Sequence, residues 1–346
     1  MSESLWRAAL GRVRRQRLTR AAAGVLVLFA ATALFADCLA SDLPIAMRYD
    51  GRTYILPNLR RPGALRRHDN HTLRRSGKRL SWALVPLIPF GPNQTQPAGA
   101  LDVNVAPGTG DHLLGTDDVG RDVAAQLVHG ARVALLVGVV SVLLYLLLGI
   151  LLGALAGYLR GPVDQLVNWA VAVMLTFPTF LLVLAIQGLI GDQSLTGVML
   201  VIGLTGWAAV ARLVRGEVLR VQGLPFVEAA RALGASHTRV LVLHVLPSSL
   251  GPVVVAATFG MASAILIESG LSFLGFGPDA PSWGRLLANA QVNRSAWWLT
   301  LFPGLAIFAT VLAYNFVAEG LQDALDPKHT VQLPRHWVTA SPRKGD

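Results

Sequence analysis

Long stretches of this chain carry no charged residue. The first runs from Ala21 to Ala36 and, with Asp37 and Cys38 near its end, reaches about Ala40. Others run Val133–Leu159, Gln165–Gly191, Gln193–Ala211 and Ser295–Ala318, and one more lies inside Val240–Ile267, starting near Pro252. A helix that crosses a bilayer needs about 20 mostly apolar residues, and each stretch comes close to that length or passes it. Inside lipid every backbone N–H and C=O must bond within the protein, so the stretches are expected as helices. None shows the alternation that a transmembrane β-barrel needs. The pattern predicts an all-α membrane protein of six transmembrane helices. Pro178 and Pro303 fall inside two of the spans and are expected to kink them.

Composition agrees. The chain of 346 residues is 53% hydrophobic and 14% charged, whereas soluble domains carry about 25% charged residues. A single cysteine, Cys38, excludes an internal disulfide framework. The net charge of +10 sits in clusters between apolar blocks, which reads as topology signals and a solvated loop, with no nucleic-acid partner. The first stretch follows Arg7, Arg12, Arg14, Arg15, Arg17 and Arg20, a start that suits a signal peptide as well as an anchor. Its apolar part is long for a signal peptide, and an acidic residue precedes Cys38, which makes a poor lipoprotein box. The reading is an uncleaved anchor.

The N-terminal arginines place the N-terminus in the cytoplasm, and six spans return the C-terminus there, beside Lys328, Arg335, Arg343 and Lys344. The chain then divides into a cytoplasmic segment 1–20, an anchor 21–40, an extracytoplasmic loop 41–128, a five-helix core 129–325 that includes a cytoplasmic loop 214–247, and a cytoplasmic tail 326–346. The outer loop is rich in arginine, including Arg60, Arg61, Arg66, Arg67, Arg74 and Arg75. Long loops cross a membrane largely regardless of charge, so the topology stands. Its one apolar patch runs from Trp82 to Phe90, too short to span and too proline-broken for a straight helix. It is expected to pack on the membrane surface or against a partner.

The most specific motif lies between the fourth and fifth spans: Glu228-Ala229-Ala230, three residues, Gly234, then Leu246-Pro247, with His244 two positions before the leucine. The alanines favour a short slim helix, Gly234 can end it, and Glu228 near its start suits the helix dipole. A second helix is expected to begin near Ser236, with Pro247 breaking the path into the fifth span. An ordinary amphipathic loop explains the composition, though not the full spacing. That spacing resembles the EAA loop of ABC-importer permeases. The resemblance extends to Gly115-Thr-Asp-Asp-Val-Gly-Arg-Asp122, His129-Gly-Ala-Arg132, Gly206–Glu217, Glu268–Gly277, Pro281-Ser-Trp-Gly284, Phe302–Phe308 and Leu325-Asp-Pro327. Over roughly residues 112–328 the chain is similar to C-type permeases of the dipeptide/oligopeptide branch, where His244 marks the subclass.

The resemblance implies a type I ABC importer permease fold, a multi-pass protein of the bacterial inner membrane that performs no covalent chemistry. It implies a homologous B-type permease, two cytoplasmic ATPases and an extracytoplasmic substrate-binding protein as partners, with membrane lipid around them. It further implies that Glu228, Ala229, Ala230, Gly234, His244, Leu246 and Pro247 dock on an ATPase. No phosphate-binding Gly-x-x-x-x-Gly-Lys-Ser/Thr loop and no metal-binding pair occur in the sequence. No cofactor is therefore expected in this chain, and ATP and Mg belong to the partner subunits. Peptides are the expected substrate, with nickel complexes, haem or glutathione as alternatives inside the class. A stand-alone secondary transporter and a membrane-embedded enzyme are the readings outside it.

Ionisable and amide groups at membrane depth mark further candidates. Glu268 lines a pathway or pairs with Arg285 or Arg294. Gln187 and Asn315 face a pathway or another helix. Asp117, Asp118, Arg121, Asp122 and Trp283 contact the binding protein or brace the outer gate, and for the first four a capped, salt-bridged turn is an equal reading.

Overall fold

The computed structural model describes residues 16–65, 68–75, 80–95 and 103–325. Most of the segment 1–20, including Arg7, Arg12, Arg14 and Arg15, lies outside the described residues, as do Arg66, Arg67 and the tail 326–346. Among the described residues, five helices are long and apolar enough to cross a membrane, and a sixth crossing arises if one sharply bent pair counts as a single span.

The first helix among the described residues is α1 (Arg17–Leu34), continued after Phe35 by α2 (Ala36–Leu39). A small antiparallel sheet follows, made of β1 (Ala46–Tyr49), β2 (Arg52–Ile55) and β3 (Leu80–Leu84) in the order β2-β1-β3, with the short helices α3 (Pro57–Arg60) and α4 (Asn70–Arg75) between the last two strands. The segment 41–128 thus holds a folded unit, where the sequence had indicated only a loop. Leu43, Met47, Tyr49, Leu65 and Leu73 form its core. The apolar patch from Trp82 supplies part of strand β3, because alternate residues of that segment can turn to either sheet face.

Helix α5 (Val123–Leu159) organises the rest. At 37 residues it is about 55 Å long, well beyond a hydrocarbon core of about 30 Å. The apolar run begins at Val133, but the helix starts ten residues earlier, where the Asp122 carboxylate accepts the Ala125 N–H at 2.7 Å and caps it. Those first turns carry Gln126, His129 and Arg132, so apolarity marks the span while capping marks the helix.

The third expected span, Gln165–Gly191, is two helices, α6 (Gly161–Thr176) and α7 (Thr179–Ile190), that meet at 87°. The turn falls at Phe177–Pro178, where proline cannot continue the ladder of hydrogen bonds. The fourth comprises α8 (Leu195–Thr205) and α9 (Trp207–Gln222) and runs 28 residues, eleven beyond Ala211. A region of short helices, residues 223–250, leads to α13 (Gly251–Phe273), then α14 (Trp283–Val292) and α15 (Trp298–Leu325). Pro303 lies inside α15 with helical bonding continuing on both sides.

Packing around α5 relies on small residues. Gly149, Gly153 and Gly157 recur every fourth position and face α9. A Cβ on Gly153 would stand 3.0 Å from the Ala211 Cα and 2.9 Å from the Val214 Cβ, and one on Gly149 would stand 2.6 Å from the Val210 Cβ. Close backbone approach of this kind is the usual means of joining helices in lipid, where burying apolar surface gains little. Helix α1 packs on α5 and α15. Arg132 ties it to α5, donating to the Ala33 carbonyl at 3.0 Å and pairing with Asp37 at 2.8 Å, while His129 bonds the Ala40 carbonyl at 2.9 Å.

Replacing Gly153 with leucine is expected to force α5 and α9 apart, at a cost of about 1–3 kcal/mol. The melting temperature of the detergent-solubilised protein should fall. Gly216→Leu on the open side of α9 should leave it nearly unchanged.

Candidate functional site

The residues singled out by sequence separate into two groups at opposite ends of the long helices. At one end lies the turn region 223–250. Helix α10 (Pro225–Ala232) starts with Pro225, whose missing N–H costs nothing in a first turn. Val227 is fully buried beneath it, while Glu228 and Ala229 are exposed and Ala230 half-buried. The helix ends as the motif suggested. The Ala235 N–H donates to the Ala230 carbonyl at 3.1 Å and the Gly234 N–H to the Arg231 carbonyl at 2.9 Å. This is a Schellman end, and Gly234 adopts the left-handed φ of +81° that it needs.

Ser236 then caps α11 (His237–Val240), which passes into a π turn, Leu241–Val245, and α12 (Leu246–Ser249). Pro247 does not break the path as expected. It occupies the first turn of α12 just after the wider π turn, and Leu246 and Leu250 both keep helical angles. His244 sits half-buried in the π turn, and its carbonyl accepts the Ser248 hydroxyl at 2.9 Å.

This region rests on the last turn of α5, a link that sequence reasoning missed. The Tyr158 hydroxyl lies 3.3 Å from His237 Nδ1, and the Arg231 guanidinium stands 6.0 Å from the tyrosine ring centre. Gln222 donates to the Gly157 carbonyl at 2.9 Å. Asp164 at the start of α6 pairs with Arg215 of α9 at 2.8 Å. Among the described residues, apolar side chains stand exposed above this base. Leu233 is 89% exposed, Leu243 60% and Phe226 43%. A lone tyrosine after a long apolar run, followed far along by an Arg–His pair, gave no local signal of contact.

At the other end, Glu268 is 0% exposed. It forms no ion pair with Arg285 or Arg294. Arg285 instead pairs with Asp279 at 3.0 Å, and Arg294 is exposed. The carboxylate accepts the Ser272 hydroxyl at 2.7 Å and the Ser269 hydroxyl at 3.4 Å, and Ser282, the N-cap of α14, bonds it as well. Gly284 lets α14 approach this point, since a Cβ there would meet the Ser272 Cβ at 2.7 Å. Trp283 is buried too, donating to the Leu127 carbonyl at 3.0 Å with its ring against Gly130 and edge-on to Phe29. Glu268 and Trp283 together fasten α14 onto α13, α5 and α1.

Asp117 is likewise fully buried. It accepts the Val119 and Arg121 N–H groups at 3.1 and 2.8 Å, Arg121 Nε at 2.8 Å and Gln126 Nε2 at 3.0 Å. Asp122, besides capping α5, shares a 2.8 Å hydrogen bond with His112, whose ring stacks on Phe90. Asp117, Asp122 and Trp283 therefore turn inward and brace this end, and Asp118 and Arg121, both half-buried, lie nearer the surface. Gln187 is buried and its amide donates to the Asp192 carbonyl, closing the turn after α7. Asn315 is half-buried on α15. Among the described residues no hydrogen bond joins Glu268, Gln187 and Asn315, and no group of three His, Cys, Asp or Glu side chains is placed to hold a metal ion.

Residues 149–331, from the middle of α5 onward, match the family model of the binding-protein-dependent transport system inner membrane component. This chain belongs to that family. It is a permease component of an ABC importer, a multi-pass inner membrane protein with the type I importer fold. It is similar to the dipeptide transport system permease protein DppC of Escherichia coli K12, 44% identical over 220 residues that cover 63% of this chain and 73% of the relative. It is 41% identical over 221 residues to the protein of the same name from Alkalihalophilus pseudofirmus, covering 63% and 72%. A putative peptide permease protein of Brucella suis is 39% identical over 246 residues, covering 70% and 80%. Permeases of this family are transport subunits.

Glu268→Ala is expected to leave the Ser269 and Ser272 hydroxyls without a partner and to open a cavity at the seam between α13 and α14. The loss of stability should be about 1–3 kcal/mol, read as a lower melting temperature in detergent, whereas Glu268→Gln should keep most of it.

Proposed function

We propose that this permease moves peptides inward in an ATP-driven complex, and that the turn region 223–250 is the part the ATPases grip. The observation that carries the reading is the build of α10. It is a slim helix with a hard glycine end, seated on Tyr158, and among the described residues Phe226 and Leu233 stay exposed on its outer side. A cleft on a partner would take this peg, with Glu228, Ala229, Ala230 and Gly234 inside it. His244, Leu246 and Pro247 would then carry its movement into α13. Nucleotide-driven closure of two ATPases would move the loops together and switch the pathway between two states. ATP and Mg would reside in those subunits, with no cofactor in this chain.

In this reading the termini and the turn region face the cytoplasm, as the arginines around α9 to α11 favour. The sheet faces outside, where a substrate-binding protein delivers its load. A second, B-type permease completes the pathway. The elbow at Phe177–Pro178 supports a protein neighbour, because both residues are exposed and interrupted helix is tolerated at membrane depth only against protein or water. Peptide as the substrate class draws on the relatives named as dipeptide and peptide permeases.

Purification of the complex from native membranes tests the reading. The wild-type chain should bring down a second permease and ATPase subunits. Gly234→Asp meets no neighbouring atom but strains a φ of +81° by about 1–3 kcal/mol, so a melting temperature in detergent close to wild type is checked first; the folded variant should lose ATPase recovery and peptide uptake. Retention of both by the variant, or transport by the pure chain in liposomes without ATP, would overturn the coupling role.

A further inference from the structure

The small sheet has one face that its own core does not use. Strand alternation turns Met47, Tyr54 and Ala83 inward, toward the cluster of Leu43, Leu65 and Leu73. The opposite face holds Ile55 and Leu84 on either side of Ala46, with Trp82 paired to Arg48 in the next row. Ile55 is 77% exposed, Leu84 57% and Trp82 48%, and Leu87 just beyond the strand is 82% exposed. A one-sided antiparallel sheet in water normally turns polar residues outward. This one turns Ile55, Leu84 and Trp82 outward as well.

The height of that face is fixed by main-chain bonds to the end of the first span. The Ile88 N–H donates to the Leu39 carbonyl at 2.9 Å and the Ser41 N–H to the Ile88 carbonyl at 3.2 Å, so Leu87 lies one residue from the tip of α2. On the other side Asn58, three residues after Ile55, donates to the Asp37 carbonyl at 2.6 Å. From Arg17 to Leu39 the two helices span about 34 Å, just enough for the hydrocarbon layer. The Asp37–Arg132 pair lies at the level where charge becomes affordable, and the exposed Leu34 and Phe35 lie below it in the lipid. The uncovered face is therefore held at the rim of the bilayer, continuous with the lipid-exposed surface of α1.

We propose that this face of the sheet is seated in the phospholipid interface, with Leu87, Leu84 and Ile55 entering the acyl boundary and Trp82 and Arg48 at the phosphate level. The side-chain chemistry matches an interfacial element: aliphatic tips, a tryptophan that prefers the headgroup zone, and Arg48, an exposed cation beside Trp82 that suits phosphate. Lipid, rather than a docked protein, is the occupant because the face is held at membrane height instead of at the far tip of the sheet.

Collision measurements on spin labels distinguish the occupants. In the full-length chain with Cys38→Ala, single nitroxides at Leu87→Cys and Leu84→Cys would be compared with Leu28→Cys on the lipid-exposed side of α1 and Asp111→Cys in an exposed turn. The vesicles contain phosphatidylcholine and phosphatidylglycerol. Labels at 87 and 84 should collide with oxygen and lose collisions with a water-soluble nickel chelate, as the label at 28 does. Nickel accessibility equal to that at 111 would overturn the proposal. So would shielding from both reagents, which marks a protein contact, or shielding that develops only when the partner permease or binding protein is added. Quenching by brominated lipid gives a reading without labels, since Trp82→Phe should remove part of the quenchable emission. An unchanged quenched fraction would also count against lipid contact.

Discussion

The structure depends on how closely α5 and α9 approach. In lipid, two helices gain little from burying apolar side chains against each other, so contact must come from dispersion between backbones brought near. Gly149, Gly153 and Gly157 make that possible, and Val210, Val214 and Val218 fill the space their missing side chains leave. Everything at the far end of α5 inherits its position from this seam. Tyr158 follows the last of the three glycines, and it is Tyr158 on which the α10–α11 region sits. Gln222, at the end of α9, closes the same corner by bonding Gly157. The exposed peg is thus mounted on the most tightly joined part of the molecule.

The other end is secured differently, by buried polar groups. Asp117, Asp122 and Glu268 are each surrounded by donors from the chain itself. In a water-poor setting a carboxylate so placed binds its donors strongly and is costly to expose, which fixes the segments it joins. Glu268 draws donors from both α13 and the start of α14, while Asp117 folds the turn before α5 against its first helical residues. Trp283 adds a large ring at the place where α14, α5 and α1 converge. Chemistry at this end holds segments in place, and its ionisable residues need no substrate to account for them.

Much of this was legible in the sequence, for reasons that differ by element. Spans announce themselves through missing charge, so α1, α5, α13 and α15 were expected close to where they occur. Their limits were not, because a helix such as α5 continues past its apolar part once Asp122 caps it. The elbow after α6 was foreshadowed by Pro178, though proline alone does not distinguish a kink from a right-angle turn. Gly234 could be read as a helix end because a left-handed residue leaves few choices. Pro247 misled, since the π turn that accommodates it has no sequence signature. The sheet was hidden by arginines and prolines that mask its period of two, and the partners of Glu268 were hidden because Ser282 comes from a different helix. Pairings made across the fold leave no local trace.

The length of α5 has one more consequence. A rod of about 55 Å that crosses a hydrocarbon layer of about 30 Å can tilt as a single lever. Tilting it by about 10° displaces each end by roughly 5 Å, in opposite directions. A displacement at Tyr158 would therefore arrive at Asp122 reversed in direction, with no hinge needed between them. The glycine seam to α9 makes the lever two helices thick at the loaded end, while at the other end Arg132 and His129 pass the motion on to α1 through single side chains.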